Sequence, residues 1–404
     1  MKTYVAPCGI GLGHATRCEP LARRLMAWDT DVVFSTYLDG LDYVMEKKFK
    51  VVDTVPVGFK VKTDGTIDFK QTAASRPGIF QGLYQVLKQL NRELSNIGSY
   101  RPDVVLSDSR ATPLMAASML SIPSILLLNQ YRVDIVRKPS TESITRLDQL
   151  FYLYANLIWT FTRTLIGGVW SLSEYILIPD LPYPYTISLG NLSIPERTKP
   201  KVKLIGPLIP HKPEELPSQT ELKGKLGFDI SKPLIHAAIS GPRIERTYLT
   251  ERLTRILSTL PNYYQVVMSR GNIAGPNKVE KYRNLVVYDW IDNQFEILKA
   301  CDVIVSRAGH GTVMKALTYG KPLVLIPIPE HTEQFGNAKR AAQLKVAKVI
   351  MQNELNEKTL LNAIDEIFQS ESYTQEASKI SEIACKLDAV ETAAKLTLEV
   401  ANKF

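Results

Sequence analysis

His14 closes a glycine loop, Gly9-Ile10-Gly11-Leu12-Gly13, directly after the apolar strand Thr3–Pro7. Glycines let the chain turn tightly and let a substrate approach the backbone. An imidazole held there suits general-base chemistry, because its pKa lies near neutrality. A dinucleotide fingerprint would need glycine at 14, so the loop is a poor NAD loop. The bland reading of His14 is a capping or core histidine. Asp108, just past strand Val104–Ser107 of the same sheet, could orient His14 and stabilise its protonated form, as in triad chemistry. A turn or helix-capping aspartate accounts for it equally well.

A second constellation occupies residues 306–337, SRAGHGTVMKALTYGKPLVLIPIPEHTEQFGN. The apolar strand Val303-Ile304-Val305 runs into a glycine turn, a helix begins near Thr312, and the strand Leu323-Val324-Leu325-Ile326 follows. Such a junction aims backbone N–H groups and the positive end of a helix dipole at one point, which suits a diphosphate. His331-Thr332-Glu333-Gln334 lies just past the second strand, where ligands of an open α/β sheet bind. Phosphates in one turn and hydroxyl-reading side chains in the next describe a nucleotide-sugar site. Ser240-Gly241-Pro242-Arg243 closes another strand: Gly241 permits close approach, and Arg243 or Arg246 could neutralise a phosphate. Asp29-Thr30-Asp31 has the form of a metal-binding pair, but it precedes a strand at the wrong end of a sheet and reads as a turn.

These residues must be positioned by two α/β halves. The first runs through strand Thr3–Pro7, a helix from Ala15 to Ala27, strands Asp31–Ser35 and Lys50–Val55, an amphipathic helix over 79–98, and strands Val104–Ser107 and Ser124–Asn129. The second opens at Leu234–Ser240, continues with a helix from about Tyr248 and strands Tyr264–Met268 and Leu285–Val287, then reaches the signature region. A proline-rich connector covers 179–217, because proline lacks a donor and fixes φ. The expected division is 1–197, 198–385, and a terminal helix 386–404 packing back on the first half. The stretch 151–170, FYLYANLIWTFTRTLIGGVW, is interrupted by Arg163 and reads as an interfacial helix or an ordinary buried one rather than a span. Trp159, Phe161, Trp170, Arg146 and Arg163 suit a bilayer boundary.

Composition narrows the classes. With 404 residues, 45% hydrophobic, the chain can bury two domains. A net charge of +8 points to phosphorylated substrates or an anionic membrane. No Lys/Arg block interleaves with aromatics, so nucleic acid is the weakest partner. Cys8, Cys18, Cys301 and Cys385 are scattered, which argues against a zinc site or disulfide framework and suits a reducing cytoplasm. The amino terminus lacks the apolar core of a signal peptide.

Taken together, the motifs resemble glycosyltransferases of the GT-B fold, two Rossmann-like domains facing each other across a cleft. The nearest groups are the MurG-type N-acetylglucosaminyltransferases (family 28) and the UDP-glycosyltransferases (family 1). The likeness covers both halves and is strongest over Gly9–His14 and Ser306–Asn337. It implies that Gly11 and Gly13 form the acceptor loop, that His14 deprotonates the acceptor, and that Trp290-Ile291-Asp292 contacts uracil. It implies a diphosphate loop of Arg307, Gly309, Gly311 and Thr312. Glu333-Gln334 would read the donor sugar, with Asn337 one turn further on. One position departs: Lys315 stands where the family carries a ribose-gripping glutamate, and an ammonium cannot accept hydrogen bonds. The implied activity is metal-independent, cofactor-free, inverting transfer from a UDP-sugar, as in glycan or N-glycan precursor assembly, with a lipid-linked or apolar acceptor. The expected location is the cytoplasmic face of the membrane, peripherally bound. A small apolar or diacylglycerol acceptor, a UDP-N-acetylglucosamine 2-epimerase and a non-catalytic nucleotide-sugar-binding subunit are the alternatives.

Overall fold

The structure is a computed structural model that describes residues 1–57, 62, 81–131 and 146–403. The described residues contain two seven-stranded sheets. The first holds β1 (Lys2–Pro7), β2 (Asp31–Thr36), β3 (Lys50–Asp53), β4 (Val104–Asp108), β5 (Ser124–Leu127), β6 (Tyr175–Ile178) and β7 (Val202–Leu204), ordered 3-2-1-4-5-6-7 and parallel throughout. The second holds β8 (Leu234–Ala238), β9 (Gln265–Ser269), β10 (Val279–Lys281), β11 (Leu285–Tyr288), β12 (Val303–Ser306), β13 (Leu323–Leu325) and β14 (Ala347–Val349), ordered 10-11-9-8-12-13-14. Only β10, at an edge, runs antiparallel in it.

The helices that bear on the site are, in chain order, α1 (Gly13–Met26), α2 (Leu38–Glu46), α3 (Gln81–Tyr100), α4 (Arg146–Trp170), α5 (Leu189–Leu192), α6 (Arg243–Leu257), α7 (His310–Thr318), α8 (Thr332–Gln343) and α9 (Ala389–Lys403). Parallel strands need helical crossovers on both faces, so their side chains are apolar on both. In the first sheet Val5, Val104 and Leu106 join the core with α1 and α9. Their strand neighbours Tyr4, Ala6 and Val105 point the other way and meet Ile97 of α3. The carboxyl-terminal α9 thus covers the first sheet, with Ala393, Ala394 and Val400 in that core and Glu391 bonded to Arg24 Nε at 2.7 Å.

Several boundaries differ from the sequence expectation. Val202–Leu204 adds an edge strand to the first sheet beyond residue 197, flanked by Pro200 and Pro207 as an edge tolerates. Helix α1 starts at Gly13, so His14 lies in its first turn; α6 starts at Arg243 and α7 at His310, each earlier than expected. Strands β3 and β5 end earlier, at Asp53 and Leu127. Helix α4 is two-sided: Trp170 packs edge-on against Tyr131 in the core, while Leu153, Leu157 and Phe161 are exposed. Trp170 is therefore no bilayer anchor. Among the described residues no helix is long and apolar enough to cross a membrane. Ile79 and the Arg146 side chain lie outside the described residues.

Both sheets reverse their strand order once near the middle, between β1 and β4 and between β8 and β12. Ligands of open α/β sheets bind outside the carboxyl ends of strands at such a switch point. The carboxyl ends of these four strands, and the loops and helix starts just beyond them, carry Gly9–His14, Asp108, Ser240–Arg243 and Arg307–Thr312.

Candidate active site

The first domain supplies an imidazole. Gly9 is obligatory, since a Cβ there would lie 1.8 Å from the Tyr37 carbonyl oxygen. Gly11 has φ +69°, and its N–H donates to Asp39 Oδ2 at 3.2 Å. The chain then enters α1, and His14 Nδ1 meets Asp108 Oδ1 at 2.8 Å. The carboxylate only accepts, so Nδ1 carries the proton and the neutral ring keeps its lone pair on Nε2. Asp108 is fully buried, whereas the His14 side chain is 26% exposed. The carboxylate is enclosed while the imidazole stays accessible, which disfavours a core role for His14.

Sequence reading missed Arg17. It lies three residues after His14, on the same face of α1. Its Nε donates to Asp108 Oδ2 at 2.5 Å and its Nη2 to Oδ1. Burial alone would raise the Asp108 carboxyl, but Arg17 and then His14 overturn this and hold it well below the usual carboxylate range. Arg17 Nη1 also donates to Asn129 Oδ1 at 3.3 Å, and Asn129 Nδ2 donates to Glu333 Oε1 at 2.7 Å. Glu333 belongs to α8 of the second domain, so hydrogen bonds run from the imidazole to the opposite wall of the cleft.

The second domain supplies a helix start. Gly309 caps α7 with no side-chain cap bond, and Gly311 and Thr312 sit half-buried in its first turn. Nothing lies within 4 Å of a Cβ built on Gly311, so this turn is open to an anion. Gly241, with φ +133°, closes in from the loop after β8, and a Cβ on Gly11 would stand 3.4 Å from its carbonyl carbon. The two glycine loops therefore face each other. Ser240 lies beside Gly309, its Oγ 3.9 Å from a Cβ built there. Arg243 is exposed at the start of α6. With Arg246, Leu12, Asp39 and Asn272 it lines a pocket of about 220 Å³ between the domains. Arg246 donates to the Gly241 carbonyl at 3.0 Å.

The other expected donor residues meet partners within the protein. Arg307 is fully buried: Nε donates to Glu245 Oε1 at 2.6 Å and Nη1 to the Ile326 carbonyl at 3.2 Å. It braces the turn that starts α7 from below. Asn337 is also fully buried, with Nδ2 donating to the Ala308 carbonyl at 3.1 Å and Oδ1 accepting from Asn191 at 3.2 Å. Gln334 is buried, and its Oε1 accepts from the Ile328 N–H at 2.9 Å. The Trp290 ring packs edge-on against Tyr43 of the first domain, with Nε1 bonded to Asp292. Ile291 packs on the second domain's core. Lys315 donates to Gln294 Oε1 at 3.3 Å and lies over the Phe295 ring. Burial pushes its ammonium down to about 8, with Glu19 of α1 opposing. His310 was also missed: its Nε2 meets the buried Asp180 Oδ2 at 3.1 Å, pinning the first turn of α7 to the segment after β6. Asp31, of the pair at 29 and 31, bonds Lys50 at the amino end of β2, away from the cleft.

The two facing Rossmann-like domains have the GT-B fold, and with the likenesses that follow the chain is a glycosyltransferase. Its relatives agree. Residues 245–395 match the glycosyltransferase family 28 C-terminal domain. A glycosyltransferase of Methanosarcina mazei is 26% identical over 100% of this chain and 99% of its own length. A UDP-N-acetylglucosamine--N-acetylmuramyl-(pentapeptide) pyrophosphoryl-undecaprenol N-acetylglucosamine transferase of Bacillus cereus is 28% identical over 47% of this chain and 54% of its own. Among solved structures, spinosyn rhamnosyltransferase SpnG superposes with a TM-score of 0.65 at 15% identity, covering 98% of this chain and 100% of its own, a likeness of fold.

Proposed function

We propose that the protein is an inverting, metal-independent transferase. It moves N-acetylglucosamine from UDP to a lipid-linked acceptor at the cytoplasmic face of the membrane. The observation that carries this reading is the His14–Asp108 pair opposite the open start of α7. The donor diphosphate rests on the first-turn amides of Gly309–Thr312, where helix polarity stabilises the departing nucleotide. His14 Nε2 takes the acceptor hydroxyl proton as that oxygen attacks the anomeric carbon. The bond to the diphosphate breaks on the opposite face, so one displacement inverts the centre. Asp108 stabilises the imidazolium formed.

Similarity to the Bacillus cereus enzyme supports the donor and the polyprenyl class of acceptor. The exposed apolar row Leu150, Leu153, Leu157, Phe161 and Leu165 on α4 supports peripheral membrane contact. The test is product mass spectrometry with the full chain, a panel of nucleotide sugars, and polyprenyl-diphosphate sugars or small apolar alcohols as acceptors. A lipid-linked N-acetylglucosamine product, lost in His14→Ala by about two to four orders of magnitude, is expected. Products only with small alcohols would replace the lipid acceptor. Sugar conversion with no acceptor present would point to an epimerase and overturn the transferase assignment.

A further inference from the structure

The reaction needs a base that is unprotonated before the acceptor arrives, yet a buried carboxylate at 2.8 Å on its own would favour the imidazolium. The geometry around Asp108 resolves this conflict. Oδ1 is shared by His14 Nδ1, Arg17 Nη2 and Ser109 Oγ, and Oδ2 is taken by Arg17 Nε. Arg17 Nη2 also lies 3.1 Å from His14 Nδ1. Both nitrogens are donors, so this is no hydrogen bond; if the ring were protonated, two cations would stand side by side. The planar fork and the carboxylate form a bidentate pair with no net charge.

Asn129 extends the arrangement. Arginine only donates and glutamate only accepts, so Asn129 must turn Oδ1 to Arg17 and Nδ2 to Glu333. Its orientation is set from both domains. The other titratable or charged groups nearby are Cys18 of α1, with Sγ 3.6 Å from Asp108 Oδ2, and Asp39 of α2 at the Gly11 N–H. From the second domain, α7 presents Lys315 toward Glu19 of α1.

We propose that Arg17 is a positioning residue for the general base: it cancels the charge of the Asp108 carboxylate that holds His14 Nδ1, and through Asn129 it registers the pair against Glu333. This rests on His14 being the base. The test is an NMR titration of the His14 ring in the full chain, its signal assigned by loss in His14→Ala, across a four-member cycle. Arg17→Met leaves a lone carboxylate and is expected to move the titration midpoint up. Asp108→Asn leaves a lone guanidinium and moves it down. The double variant restores neutrality and returns it close to the parent, and it also guards against misfolding of a single variant. In kcat/KM profiles, Arg17→Met should lose about tenfold at neutral pH, regaining much of it in alkali as its acid limb shifts, since one pH unit is a factor of ten. Arg17→Lys, which keeps the charge, should keep the parent limb. Midpoints that fail to follow this order, or an equal loss at every pH, would overturn the role of Arg17. Unchanged turnover in His14→Ala would instead remove the general-base reading itself, whatever the titrations show.

Discussion

Arg307 and Glu245 form an enclosed ion pair beneath the turn that starts α7, both side chains fully shielded from solvent and Nε–Oε1 at 2.6 Å. The pair joins the strand-end arginine of β12 to the first turn of α6, so it locks together the two loops that face the cleft. Its residues lie 62 positions apart in the chain. Residue 241 is glycine because its φ of +133° strains any side chain, and a Cβ there would also crowd Glu245 Oε2 at 2.3 Å.

Breaking this pair from one side strands a buried charge. Arg307→Met should destabilise the protein by about 3–5 kcal/mol in denaturant titrations. Adding Glu245→Leu should recover most of that loss, because an apolar pair can replace a buried ionic one. Donor KM in the double variant should stay near the parent value. A large rise in KM with normal stability would mean that Arg307 does reach the diphosphate.

Lys315 carries a stability signature of its own. Its ammonium is pushed down to about 8 in the folded chain, against an unfolded value of about 10.4. Below pH 8 the lysine is charged in both states, so the full cost of enclosing that charge is present. Between the two values the unfolded chain holds more proton, and stability should rise with pH. Above both, the cost has gone. Lys315→Met should therefore stabilise the protein by about 1–2 kcal/mol at pH 7, and the advantage should shrink toward pH 10.5. Melting curves across that range decide it, and a gain independent of pH would trace to packing instead.

Close packing at the domain junction makes a third test. A Cβ on Gly336 would stand 2.5 Å from Asn191 Oδ1, and Asn191 Nδ2 bonds both the Glu333 carbonyl and Asn337 Oδ1 at 3.2 Å. Gly336→Ala should push α5 away from α8 and cost about 1–3 kcal/mol. Because Glu333 lies on the same helix turn, donor affinity by calorimetry should fall as well. Full affinity with lowered stability would show that the strain stays local.

Leu153, Leu157 and Phe161 are 68%, 69% and 66% exposed, so replacing all three by serine should change thermal stability little. It should abolish flotation with anionic phosphatidylglycerol vesicles, which the parent chain is expected to show. Parent protein that stays at the bottom of the gradient would remove the membrane from the proposal.

Much was legible in the chain before any coordinates. Apolar runs ending in glycine turns marked the strand–loop–helix units, because backbone geometry leaves few residues able to make those turns. They carried the fold, the glycine loop with its imidazole, and the helix start at Gly309–Thr312. Asp108 was ambiguous until the sheet order set β1 beside β4 and brought the carboxylate to the imidazole. Residue identity could not say which way a polar side chain faces. Arg307 and Asn337 sit in a loop and a helix at the cleft, yet both turn inward, since the charge and amide that satisfy them come from α6 and α5. Arg17, Asn129 and His310 went unseen for the same reason: each is defined by a partner distant in sequence. Periodicity names the face of a helix, but only the packed arrangement of elements supplies what that face meets.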